Sequence, residues 1–356
     1  MPARTLALGF ALFLLASLPA ADPPPELRPA PHPKGYVCHR PTRPIVIDGK
    51  HDQAWDDAPW SEEFVDISTD VKPRHRTRMK MLHDDAALYI FAELDDPHVW
   101  GTLKDHDSVI YHDNDFEVFL DPDGDNHMYG ELELNALNTT WDLLLTKPYR
   151  DGGSAVNAWE IKGLQTAVQV NGTLNDPTDT DRGWTVEIRW PYTSVAELSK
   201  ANIPPKDGEQ WRINFSRVQW RHAVKDGKYV KDSKVEDNWV WSPQGAIDMH
   251  RPERWGYLQF STAKPGKARF EPDADWPTKD LLHRVYYAEH HHFKEHKRFS
   301  PDMEKLNLGG VAVPLSGAVQ LETTKKMFEA SLARPADASG QPRRFSINQD
   351  GRLKQE

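Results

Sequence analysis

Between Asp113 and Trp141 the chain reads DNDFEVFLDPDGDNHMYGELELNALNTTW, and apolar and polar residues alternate along it with a period of two. That is the repeat of a β-strand, whose successive side chains point to opposite faces. Phe116, Val118 and Leu120 fall on one face, with Asp115, Glu117 and Phe119 on the other. Leu132 and Leu134 alternate in the same way with Glu131, Glu133 and Asn135. The pattern predicts two strands that bury an apolar row and gather Glu117, Glu131, Glu133 and Asn135 on the opposite side. The connection Asp121-Pro122-Asp123-Gly124-Asp125 is a turn with carboxylates at alternate positions. A polar sheet face beside such a turn points to binding.

The rest of the chain has the same character. Runs at 76–82, 87–94, 164–170, 184–190, 211–220, 238–241 and 255–260 read as strands separated by turn residues, and Pro44 to Gly49 as a short strand entering a turn. Pro191 ends one of them, and Tyr192 to Leu198 has the length of a short helix. In the run WRINFSRVQW, Val218 lies out of phase with Ile213 and Phe215, which predicts a bulge nearby. With 13 Trp and 28 Pro, the expected fold class is all-β, an immunoglobulin-like or jelly-roll β-sandwich over residues 36–262. Residues 263–277 read as a linker and 278–356 as a small α+β segment, with a helix over 279–296 and strands at 318–323, 327–332 and 344–347.

Upstream, Arg4 precedes an apolar run from Leu6 to Leu18 and small residues at Ala20 and Ala21. This is the pattern of a signal peptide over residues 1–21, too short for a comfortable membrane span, and it predicts a secreted or periplasmic protein. Residues 22–35, rich in Pro, read as an extended linker. Cys38 is the only cysteine, so no internal disulfide can form. A net charge of −10 argues against nucleic acid and anionic membranes as partners, since both require a basic footprint.

Three ligand chemistries suit these residues. Asp121, Asp123 and Asp125 around Gly124 offer the hard oxygens that calcium requires, and the same residues suit a solvated turn. Glu117 with Glu131 or Glu133 matches the two carboxyls of a glycoside hydrolase, although strand alternation alone produces the pair. On the C-terminal helix, His290, His291, His292 and His296 point to several sides, so at most two could share a metal; a solvated histidine-rich surface is the simpler reading.

In order, the stretches PIVIDGKHDQAW, LYIFAEL followed by DDP, DNDFEVFLDPDGD, GWTVEIRWP and WSPQG…ERWGYLQF resemble those of the family 9 carbohydrate-binding modules over about residues 36–261. The resemblance implies a β-sandwich that binds carbohydrate non-catalytically in support of polysaccharide breakdown, with calcium bracing its loops. It puts sugar contacts on Glu117 and Asn135. Positions that hold an Arg and a first clamping Trp in the family correspond to Glu133 and His112, and the second Trp corresponds to Met249 or His250. Trp100, Trp141, Trp220 or Tyr149 could then supply an aromatic ring, so Glu117, Asn135, His112, Glu133 and Trp141 are the candidate ligand-binding residues. Related sandwiches bind haem, for which Met79, Met81, Met249, His112 and His250 would be the axial candidates, without a covalent attachment motif. The C-terminal stretch YYAEHHHFKEHKRFSPDMEKL resembles the globular part of type IV pilin-like proteins, without their hydrophobic stem.

Overall fold

The computed structural model describes residues 24–306, 308, 319–335 and 341–356. The leader read over residues 1–21 lies outside the described residues. In chain order the body contains β1 Gly35–His39, β2 Val65–Asp66, β3 Thr77–His83, β4 Ala87–Leu94, β5 Asp115–Asp121, β6 Tyr129–Asn135, β7 Thr140–Leu145, β8 Ala155–Val156, β9 Gln165–Asn171, β10 Gly183–Pro191, α1 Tyr192–Leu198, β11 Gln210–Lys225, β12 Lys228–Val240 and β13 Gly256–Ser261. The C-terminal part adds α2 Trp276–His296, β14 Gln320–Thr323, β15 Phe328–Arg334, β16 Arg343–Asn348 and β17 Leu353–Gln355. Among the described residues no helix is long and apolar enough to cross a membrane.

The body is one continuous sheet that curls into two layers, the first and second sheets, β8-β7-β6-β5-β11-β13 and β3-β4-β10-β9, with β12 pairing β11 and β2. β1 joins them, parallel to β13 along its length and to β3 at His39 and Leu82. Phe116, Val118, Leu120, Leu132 and Leu134 from the first sheet share one buried cluster with Met79, Met81, Leu88, Ile90, Val186 and Ile188 from the second. A sheet buries its apolar face against another layer, and here the layer is the opposite sheet. The β-sandwich expected from the alternation is the observed fold.

The near-continuous apolar run of β4 has a second cause. Its even-numbered residues enter the inter-sheet core, while Ala87, Tyr89 and Phe91 on the outer face pack with Trp55, Leu82 and Ala58, against which Ile45, Ile47 and Trp60 lie. Pro44 to Gly49, expected as a strand, is a loop whose two isoleucines cover that outer face. The long hairpin of β11 and β12 also departs from expectation, running well past the predicted end at Trp220 because Tyr229 to Val240 pairs back along it. Its register shifts between Trp220 and Arg221, close to the expected bulge.

α2 lies across a four-stranded antiparallel sheet of β14 to β17, with Leu282, Val285 and Tyr286 packed against Phe328, Ala330 and Phe345. The small α+β segment is thus present, but it is not tethered by free linkers. Leu27, in the stretch read as an extended linker, enters the C-terminal core. The Ala30 N–H donates to Asp280, and His32 stacks on Tyr257 at 4.9 Å. In the second stretch, Asp273 accepts hydrogen bonds from Tyr257 and Lys279. Both linkers are straps packed onto folded surface.

Candidate functional site

On the outer face of the first sheet, cross-strand register places Glu117 opposite Glu133 on one side and Ser216 on the other. Asp115 lies opposite Asn135, Phe119 opposite Glu131, and Glu133 opposite Trp141. Directly opposed residues share a face, so β5 and β6 build a row of carboxyls flanked by Trp141 of β7 and Ser216 of β11. The face is not solvated as simple alternation suggests. Phe119, Tyr129, Leu143, Leu145 and Trp255 form an apolar cluster at one end, and Trp100, Val218 and Trp220 form another. Between them Asp115, Glu117, Glu131 and Glu133 are at most 5% exposed.

Among the described residues none of these four carboxyls has an ion-pair partner. One oxygen each of Asp115 and Glu131 is buried without a hydrogen-bond donor. Oxygens of Asp115, Glu117 and Glu133 lie within 4.8 Å of one another. Burial raises the Glu117 pKa to about 7, with hydrogen bonds from Ser216 and Asp115 opposing the rise. Burial, then repulsion from Glu117, pushes Asp115, Glu131 and Glu133 well above the usual carboxylate range. Contacts between Asp115 and Glu117 and between Glu131 and Glu133 are favourable only when a proton sits between the two carboxyls.

Aromatic rings stand around it. Tyr111 is 40% exposed and Tyr149 48% exposed. The Tyr111 N–H donates to Glu133 at 2.9 Å, and its ring lies 6.4 Å from that of Trp141 at an interplanar angle of 32°. Burial followed by the charges of Glu131 and Glu133 raises the Tyr149 pKa to about 12, and its ring lies 4.5 Å from that of His250, which hydrogen-bonds Tyr129 on β6. His112 is exposed, its ring 4.7 Å from Tyr111, and its carbonyl accepts from Lys231. Trp141 is half-buried beside Glu133.

The other aromatic candidates pack. Trp100 and Trp220 are buried, and the Trp220 indole N–H donates to the Tyr111 carbonyl at 2.7 Å. His250 Nδ1 hydrogen-bonds the Tyr129 hydroxyl at 2.9 Å, and its ring meets the Tyr149 ring edge-on at 4.5 Å. Met79 and Met81 lie in the inter-sheet core, and Met249 packs beside Trp255. Asn135 is fully buried, and its amide is engaged: it donates to Asp113 and the Leu103 carbonyl and accepts from the N–H groups of Leu137 and Thr139. Its place is in bracing the 102–113 loop that carries Tyr111. Tyr111 itself escaped the sequence reading because it sits in a one-turn helix outside any strand pattern, although its position just before His112 was a usable signal.

The acidic turn faces the C-terminal segment. Asp121 accepts the Gly124 and Asn126 N–H groups, and Asp125 pairs with Arg352 at 2.8 Å. Asn126, with φ of 71°, donates to the His283 ring and to the Gly351 carbonyl, each at 2.9 Å. One oxygen each of Asp121, Asp123 and Asp125 lies within 4.8 Å of the others, a spacing that suits calcium ligands about 2.3–2.6 Å from the ion. The donor set fits calcium, which would share Asp125 with Arg352. On α2, His290 contacts the Gln349 carbonyl and His292 that of Arg298, while His292 and His296 stack at 4.3 Å.

Residues 47–203 match the family described as carbohydrate family 9 binding domain-like. The resemblance read from the ordered motifs is borne out over this stretch. No curated protein matches the chain. Among solved structures, a family 9 carbohydrate-binding module from Caldicellulosiruptor kristjanssonii in complex with cellotriose is 18% identical, with a TM-score of 0.44, over 67% of this chain and 100% of that one. The same organism's module in complex with glucose is 18% identical, with a TM-score of 0.42, over 66% of this chain and 100% of that one. A putative carbohydrate-binding protein from Bacteroides uniformis is 17% identical, with a TM-score of 0.46, over 64% of this chain and 100% of that one.

Proposed function

We propose, on the premise that residues 47–203 carry a carbohydrate family 9 binding domain-like module, that the outer face of β5, β6, β7 and β11 binds carbohydrate without cleaving it. The observation that carries this reading is the pair of exposed rings, Tyr111 and Tyr149, flanking a buried row of carboxyls. A pyranose presents an apolar face to an aromatic ring and hydroxyls to polar groups beside it. Glu117 and Glu133 serve the hydroxyls, Tyr111 with Trp141 and Tyr149 serve the apolar face, and His112 lines the rim. Asn135 acts one step back, by holding the loop of Tyr111.

Binding fits this site better than hydrolysis. Asp115, Glu117, Glu131 and Glu133 are at most 5% exposed and hydrogen-bond one another, whereas a glycosidase needs two carboxyls open on either side of a scissile bond. Calcium on Asp121, Asp123 and Asp125 braces the turn, and the apolar stretch at the start of the chain supports export to where polysaccharide is broken down. A glycan array followed by affinity electrophoresis tests the reading: retardation by at least one plant, algal or bacterial polysaccharide is expected, and no retardation by any would overturn it.

A further inference from the structure

A second cluster lies at the edge of the same sheet, and no function discussed so far uses it. His106 belongs to the loop before Tyr111, Asp142 to β7, and Glu160 to the segment after β8. The His106 Nδ1 lies 3.0 Å from the Thr140 carbonyl, which can only accept, so this nitrogen carries the proton. The opposite nitrogen, Nε2, faces three carboxylates: Glu160 at 3.3 Å, Asp107 at 3.4 Å and Asp142 at 3.8 Å.

Asp142 separates this group from an ordinary surface ion pair. It is 1% exposed, and one of its oxygens accepts the Ile161 N–H. The other, Oδ1, is buried without a hydrogen-bond donor and is the atom aimed at His106 Nε2. A buried carboxylate oxygen left unpaired costs about 1–3 kcal/mol or more unless something occupies its lone pairs.

The spacing identifies what would fit. Four ligands about 2.0–2.2 Å from a tetrahedral zinc ion lie roughly 3.3–3.6 Å from one another. Nε2 stands 3.3 and 3.4 Å from Glu160 and Asp107, and the ligand atoms of these three residues all lie within 4.8 Å of one another, with Asp142 Oδ1 outside that trio at 3.8 Å from Nε2. An imidazole whose other N–H is tied to a backbone carbonyl is oriented as metal-binding histidines are. Calcium, by contrast, takes six to eight oxygens and has little use for a ring nitrogen.

We propose that His106, Asp107 and Glu160 hold a divalent transition-metal ion of the zinc class, with the buried Asp142 carboxylate beside His106. The ion ties the 104–109 loop to the start of β7 and to the 157–161 segment, behind Tyr111 and Trp141. The site does not depend on the carbohydrate reading, and its test needs no sugar.

The test uses the full chain, free of affinity tags and stripped with chelator, with His292 and His296 replaced by Ala. Those two rings stack on α2 and would capture zinc themselves. Zinc chloride is titrated calorimetrically, and cobalt(II) substitution is followed by its visible spectrum. The expected result is one equivalent of zinc per chain, with Kd below about 100 µM and an intense tetrahedral cobalt spectrum. His106→Ala abolishes uptake, and Asp142→Asn raises Kd at least about tenfold. The His106 side chain is 48% exposed, so its variant folds, and circular dichroism verifies this. Uptake weaker than the stated limit, or uptake unchanged in either variant, overturns the proposal. A protonated His106 that pairs with the carboxylates and excludes zinc would give the first of these results.

Discussion

Replacing Glu117 by Gln removes a charge from the centre of the carboxyl row and keeps the side chain's shape. Burial raises the Glu117 pKa from an ordinary 4.5 to about 7. A rise of that size corresponds to about 3 kcal/mol in favour of the protonated folded state. Between pH 4.5 and 7 the folded protein holds this proton and the unfolded chain does not, so stability falls as pH rises. Below pH 4.5 both states are protonated and the penalty vanishes. Urea unfolding, followed by tryptophan fluorescence in the variant and the parent protein, reads the effect of Glu117 together with the relief of its repulsion on Asp115, Glu131 and Glu133, which acts in the same direction. The stability difference is expected near zero at pH 4.5 and about 3 kcal/mol in favour of Glu117→Gln at pH 8. Carbohydrate affinity should fall in the same variant. A pH-independent difference, or a variant less stable than the parent at pH 8, would refute the argument that this carboxylate is buried without a counter-charge.

Acid should act through His283, which is buried between α2 and the acidic turn, with its pKa lowered to about 4 by burial. The unfolded chain binds this proton near pH 6.5 and the folded protein does not, so up to about 3 kcal/mol is lost as pH falls from 6.5 to 4, and His283→Gln should flatten that slope in denaturant titrations. Asn126→Ala removes two buried hydrogen bonds and puts Ala at a positive φ, for an expected loss of about 2–4 kcal/mol. Arg352→Ala breaks only an exposed pair with Asp125 and should cost less than about 1 kcal/mol in the same unfolding assay. Calcium should raise the thermal midpoint of the parent protein, and Asp123→Asn should abolish that rise; a midpoint unmoved by calcium would remove the ion from the acidic turn.

Most of the sandwich was legible because its strands alternate strongly. β3, β4, β9, β10 and α1 fall within a residue or two of their expected positions, since each is bounded by Asp, Gly or Pro. The alternation in β5 and β6 identified the inward row correctly. It could not show that the polar row is buried too, because the covering residues Trp220, Trp255 and Tyr149 come from distant parts of the chain. Pro44 to Gly49 has β-forming residues yet remains a loop, its isoleucines drawn onto Trp55 and Phe91. Only the end of β12 was legible, at 238–241, because Lys228 to Asp237 is largely polar and is fixed by pairing with β11. Docking of the C-terminal segment depends on single contacts, Asn126 with His283 and Leu27 with the α2 core, and single contacts leave no period in a sequence. The zinc-class cluster was hidden for the same reason, since His106, Asp142 and Glu160 meet only across three separate elements.

The carbohydrate reading stands or falls on the two exposed rings. The parent protein and the Tyr111→Ala Tyr149→Ala double variant should be compared by affinity electrophoresis in the polysaccharide that best retards the parent. Each ring's stacking contributes about 0.5–1.5 kcal/mol beyond its buried area, so the account predicts at least tenfold weaker binding in the double variant, with an unchanged unfolding midpoint. Equal retardation of the two proteins would contradict it.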